Sequence, residues 1–220
     1  MHMGAAVSVG ALRLMVYDRT CTRYGLGLSS AWAVGGALYR SARRLDARFG
    51  ATTWEEALSW IAGYERSRPI AEIQYWGHGR WGRVFVASDP FDASALGPGH
   101  RLHDLVLAIR ERLLPEDRSL FWLRTCEAFG ADAGHDFASR LAETFRARVA
   151  GHTHIIGAVQ SGLRTLSPGR RPRWSPEEGL AEGTRDRPIR ARGSSLLAPR
   201  TISCLHGSFP AAWFDEDGCA

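Results

Sequence analysis

Short β-prone runs at 12–17, 73–76, 119–126 and 154–159 are separated by stretches whose apolar residues recur at helical spacing. That alternation is the strongest constraint on the fold, because neighbouring parallel strands can be joined only by a crossover long enough to hold a helix. The expected class is therefore α/β: a three-layer α-β-α sandwich with a mainly parallel central sheet. The first helix is expected from Ser29 or Ser30 to about Phe49, with Val34, Leu38 and Leu45 among its apolar positions and Gly50 stopping it. A second starts at the capping box Thr53-Trp-Glu-Glu56, with Trp54, Ala57, Leu58 and Ile61 on one face. Residues 102–113 and 136–149 supply two more, the latter through Phe137, Leu141, Phe145 and Val149. Residues 81–87 read as a small hairpin, and Thr201-Ile-Ser-Cys204 as a last short strand.

Two strands end on reactive side chains. Ile73, Tyr75 and Trp76 run into Gly77-His78-Gly79, and Ser119-Leu-Phe-Trp-Leu-Arg-Thr runs into Cys126. In open parallel sheets ligands bind in the crevice beyond the carboxyl ends of the strands, so adjacency of these two strands brings an imidazole to a thiol. A thiol becomes a strong nucleophile when a neighbouring imidazole takes its proton. Trp76 and Trp81 flank His78 and are candidate walls of the cleft. Arg124, two residues before Cys126, shares its strand face and can meet an acidic group or make structural hydrogen bonds. Glu127, next to the cysteine, favours basic substrates instead, so the pair sets no specificity.

A strand ending in His-Gly, then a hairpin and a helix, then an apolar strand ending in Cys about 50 residues later resembles the caspase-like cysteine peptidases, a superfamily that includes gingipain-, legumain- and separase-like enzymes. The resemblance covers roughly residues 8–160. It implies His78 as catalytic histidine, Cys126 as nucleophile, and the backbone N–H groups of Gly79 and Cys126 as the oxyanion hole. Arg124 matches the position lining the pocket for the residue before the scissile bond. Arg124-Thr125 and Glu127-Ala128 stand where caspases carry Gln-Ala and a basic or small residue followed by Gly, so the chain is a divergent member and not a caspase proper. The implied substrate is a peptide or protein, with no cofactor and no metal.

Two other functions stay open: a catalytically silent fold of this kind that binds a partner protein, and a zinc-dependent hydrolase. The second draws on His152-Thr-His154, whose alternate residues share a strand face, with His78, Cys126 or His135 to complete a set.

At 220 residues with 45% hydrophobic content, one domain spanning 1–220 can bury its own core. The 28 basic residues are all arginine, and eight of them lie in 164–192 against Glu177, Glu178, Glu182 and Asp186. Without a nucleic-acid motif and with carboxylates interspersed, that stretch reads as a solvated basic loop rather than a phosphate-binding face. Residues 161–198 as a whole are expected to form a long, mobile Arg/Pro/Gly-rich loop, which by the resemblance is a lid or a processing site. Cys21, Cys126, Cys204 and Cys219 are scattered, without Cys-x-x-Cys spacing, and read as free thiols in a reducing compartment. With no apolar run of membrane-spanning length, the expected setting is cytoplasmic, without a membrane partner. The oligomeric state is not legible.

Overall fold

The computed structural model describes residues 10–22, 27–208 and 212–214, with the side chains at 116 and 117 excepted; Cys219 lies outside them. The β-prone run at the start becomes β1 (Leu12–Asp18), followed by α1 (Leu28–Ser41), β2 (Ala47–Ala51), α2 (Trp54–Gly63) and β3 (Ile70–Trp76). A small antiparallel sheet follows, made of β4 (His78–Gly79), β5 (Arg83–Val86) and β6 (Asp89–Asp92). Next come α3 (His103–Arg110), β7 (Glu116–Arg124), α4 (Ala131–Phe145) and β8 (Ala147–His152). The chain then forms β9 (Val159–Gln160), β10 (Leu163–Leu166), the hairpin β11 (Leu180–Gly183) and β12 (Pro188–Ala191), and β13 (Ile202–Ser203).

The central sheet has six strands in the order β10-β8-β7-β3-β1-β2, with β10 antiparallel and the other pairings parallel. The crossover from β1 to β2 therefore runs in one direction, and those from β2 to β3, β7 and β8 run in the other. Right-handed crossovers then put α1 on one face and α2, α3 and α4 on the opposite one. The side chains follow the alternation of the strands. Leu14, Val16, Ile73, Tyr75, Phe121 and Leu123 join the large core under α2–α4, whereas Met15, Tyr39 and Trp76 form a small cluster under α1. Beyond α1, the second face is covered by the end of the chain, where Ile202 and Phe214 pack on Trp122 and Leu163. A gap between α1 and that terminal segment lies over the carboxyl ends of β3 and β7.

Several expected boundaries move. The first helix stops at Ser41 instead of Phe49, because Arg43 turns into the left-handed region at φ 56° and its neighbours close the last carbonyls. Residues 47–51 then pair beside β1, with Gly50 inside the strand. Gly27 is the N-cap, and the Ser29 hydroxyl donates to the Asp18 carbonyl instead. Val34 and Leu38 face solvent, since α1 presents Ser29, Gly36 and Tyr39 to the sheet. Half of the capping box forms at Thr53, whose hydroxyl accepts from the Glu56 N–H at 3.1 Å; the Glu56 carboxylate accepts from the Thr52 N–H at 2.7 Å rather than from Thr53.

The fourth helix begins at Ala131, not Asp136, and ends where Arg146 turns left-handed at φ 50°. Val149 therefore lies in β8, which displaces the strand expected at 154–159. Residues 161–198 are not one long loop. They carry β10, the β11–β12 hairpin and a buried Trp174 whose indole N–H donates to the Phe129 carbonyl at 3.0 Å. Their arginines meet carboxylates: Arg164 with Glu178, Arg190 with Glu182, and Arg185 with Asp132 at 2.6 Å. No helix among the described residues is long and apolar enough to cross a membrane.

Candidate active site

Parallel pairing sets Tyr17 against Trp76 and Trp76 against Arg124, a row across the carboxyl ends of β1, β3 and β7. His78 and Cys126 each stand two residues beyond that row, so the sheet delivers them to the same edge. The reversal of strand order falls between β1 and β3, where loops diverge to opposite faces and open sheets leave a crevice.

Two glycines make the approach close enough. A Cβ on Gly77 would lie 2.1 Å from the Tyr75 hydroxyl, and one on Gly79 would lie 2.5 Å from Thr125 Oγ1 and 2.6 Å from the Cys126 carbonyl. The glycines around His78 thus serve packing: Gly79 lets the β4 backbone rest directly on Thr125–Cys126.

The gap on the α1 face is a cleft of about 690 Å³. Its floor is Trp76, Gly77, His78, Arg124 and Cys126; α1 forms one wall, and residues 156–158 with Cys204 and Leu205 form the other. His78 and Cys126 thus share one cavity. Among the described residues, however, their hydrogen bonds are to other groups. His78 Nε2 lies 3.3 Å from the Cys21 Sγ, and its ring meets Trp32 edge-on with centroids 5.5 Å apart. The Cys126 Sγ accepts from the Ile156 N–H at 3.4 Å and donates to the Ile156 carbonyl at 3.8 Å. Burial is the main influence on this thiol and raises its pKa, the Glu127 carboxylate adds to the rise, and the Ile156 N–H opposes it. Cys126 therefore rests as a thiol.

Arg124 lies in the floor but is fully engaged. Its Nη1 donates to the Tyr39 hydroxyl at 2.6 Å and the His206 carbonyl at 3.2 Å, its Nη2 to Gln160 Oε1 at 2.9 Å and the Cys204 carbonyl at 2.8 Å, and its Nε to Gln160 Oε1 at 3.3 Å. These contacts use the five N–H groups of a guanidinium. The plane is also held among Trp122, Trp76 and Tyr39, at 4.3, 4.6 and 5.4 Å from the ring centroids. Of the two roles the sequence allows Arg124, the tether matches these contacts: it ties β7 to α1, β9 and the terminal segment.

The remaining expected residues divide. Trp76 lines the cleft and Trp81 does not: Trp81 packs with Ala131 and Ala191 under the Arg80 guanidinium, 4.7 Å from its ring. Its φ of 28° and its N–H bond to the Glu127 carbonyl turn it away along the second strand-end loop. Glu127 is also outside the cleft, because a left-handed φ of 41° and an N–H bond to the His154 carbonyl fold it inward. Burial raises its carboxyl pKa, and Oε2 is buried without a hydrogen-bond partner among the described residues. His152 and His154 do not line the cleft either. His152 is wholly buried with Nδ1 3.0 Å from the Ser161 carbonyl, and burial holds its pKa at about 3. His154 Nδ1 pairs with the Thr153 hydroxyl at 3.0 Å. No group of three or more His, Cys, Asp or Glu residues placed to hold a metal occurs among the described residues.

Sequence reasoning missed Cys21, Trp32, Tyr39 and Gln160. Cys21 had a signal: it follows the end of β1 as His78 and Cys126 follow the ends of β3 and β7. The others come from α1 and β9, and only the packing brings them in. No protein-family model matches the chain, and no curated protein matches it.

Proposed function

We propose that the chain is a cysteine peptidase or related acyl hydrolase of the caspase-like kind, with Cys126 as nucleophile and His78 as general acid and base. The observation that carries this reading is the shared register: both side chains stand two residues past one paired row and line one cleft. A resting thiol implies that deprotonation accompanies attack. As the Sγ–carbon bond to the substrate carbonyl forms, His78 takes the thiol proton, then gives it to the leaving amine or alcohol. Water, deprotonated by the same imidazole, then hydrolyses the thioester. The N–H groups of Gly79 and Cys126 sit at the meeting of the two strand ends and are the proposed donors to the oxyanion. For the transfer, His78 must exchange its Cys21 contact for Cys126.

A second reading, a catalytically silent protein-binding module, is favoured by the burial-raised pKa of Cys126 and the engagement of His78 by Cys21. One experiment separates the two. A limiting peptidyl electrophile is mapped by mass spectrometry on wild type and His78→Ala. Selective labelling of Cys126 that collapses in the variant supports the dyad. Slow, equal labelling of Cys21, Cys126 and Cys204 in both proteins ends the peptidase reading.

A further inference from the structure

Resting on the acyl-hydrolase reading, we infer that the cleft selects a large apolar group on the acyl side of the bond attacked by Cys126, and discriminates against acidic and basic groups there. The walls supply the first part. Leu28, Trp32, Val34 and Leu38 from α1, Trp76 from β3 and Leu205 from the terminal segment surround the space beside His78. At the rim, Val34, Leu38 and Leu205 are 60%, 54% and 60% exposed, large apolar side chains that nothing in the chain covers among the described residues. α1 spends its small residues on the sheet: a Cβ on Gly35 would lie 2.8 Å from the Trp76 ring. Apart from Tyr39, its bulky apolar residues are left for the cleft. A volume of about 690 Å³ is in the usual range for a ligand cavity and takes an aromatic side chain with its neighbouring backbone.

Charge supplies the second part. Among the described residues lining the cleft there is no Asp or Glu, so a basic group finds no counter-ion. Among the described residues of the lining Arg124 is the one arginine, and its donors are spent on Tyr39, Gln160, Cys204 and His206. An entering carboxylate would have to break the tether to gain a hydrogen bond, and would lose its hydration in an apolar cavity. A leucine or phenylalanine side chain loses only its contact with water, which favours it over alanine roughly ten- to hundredfold.

The test uses peptidyl acyloxymethyl ketones that differ only in the residue before the reactive carbonyl: Phe, Leu, Ala, Asp or Arg. Inactivation rates and adducts at Cys126 are measured on wild type and on Leu38→Asp, a rim substitution at an exposed position. In parallel, the N-acetyl amides of the same residues are titrated into Cys126→Ala protein by tryptophan fluorescence, since Trp32 and Trp76 line the cleft. The expected result is Phe and Leu ahead of Ala, Asp and Arg by about tenfold or more in both assays, with the advantage reduced in Leu38→Asp. An Asp or Arg probe that leads, or five equal probes, overturns the inference while leaving Cys126 labelling intact. Should no ketone label Cys126, the dyad reading fails, and the amide titration still decides the cleft's preference by the same ranking.

Discussion

Arg124→Met removes the guanidinium while keeping most of the stem that packs between Trp76 and Trp122. It strands two acceptors, the Tyr39 hydroxyl oxygen and Gln160 Oε1, whereas the Cys204 and His206 carbonyls keep the Tyr39 hydroxyl as donor at 3.0 and 2.7 Å. Leaving a buried acceptor unpaired costs about 1 kcal/mol or more. Relief of the desolvation borne by the buried cation offsets part of the sum, leaving a net loss of about 2 kcal/mol. With a guanidinium m-value of about 4 kcal/mol/M, the unfolding midpoint falls by roughly 0.5 M. Cys204, released from its carbonyl contact, is expected to alkylate faster than in wild type. Chemical denaturation followed by tryptophan fluorescence, with thiol mapping below the transition, measures both. A midpoint lowered by less than about 0.2 M, under 1 kcal/mol on the same slope, would refute the tether and free Arg124 for a ligand.

Burial of His152 depresses its pKa to about 3, so the unfolded chain binds a proton that the folded chain refuses; this stabilising difference is complete above about pH 6.5 and is lost as pH falls towards 3. Between about pH 7.5 and 4.5 the loss is roughly 2 to 3 kcal/mol, and denaturation curves of His152→Asn should lack that part of the slope. Gly79→Ala puts a methyl 2.6 Å from the Cys126 carbonyl; it should cost about 1 to 3 kcal/mol and slow Cys126 labelling, and a variant of wild-type stability and reactivity would contradict the packing account. Cys21→Ala frees the His78 imidazole, and Cys126 should label about fivefold faster, the worth of one hydrogen bond of about 1 kcal/mol; a slower rate would instead make Cys21 a support for the ring. Because burial raises the Cys126 pKa, its unassisted alkylation in His78→Ala should keep climbing above the pH at which ordinary thiols level off.

Local pattern was enough for the α/β class, for β1, β3 and β7, and for the placement of His78 and Cys126 at strand ends, because apolar periodicity and glycine punctuation act over a few residues. It failed at Phe49 and Val149, where an apolar residue continued a helical spacing by coincidence and an arginine in the left-handed region had already ended the helix. It also failed over 161–198, where strand pairings and ion pairs to distant carboxylates order a stretch that has no periodicity of its own. What the sequence by itself determined was which chemical groups stand at the ends of which strands. Only the tertiary structure decided their relations: that His78 meets Cys21, that Arg124 spends its donors on α1 and the terminal segment, and that Trp81 and Glu127 turn away from the cleft. Those outcomes depend on contacts between residues far apart in the chain, such as Tyr39 with Arg124, 85 positions away, and Trp81 with Ala191, and the chain acquires them only when the crossovers have set the helices on their faces.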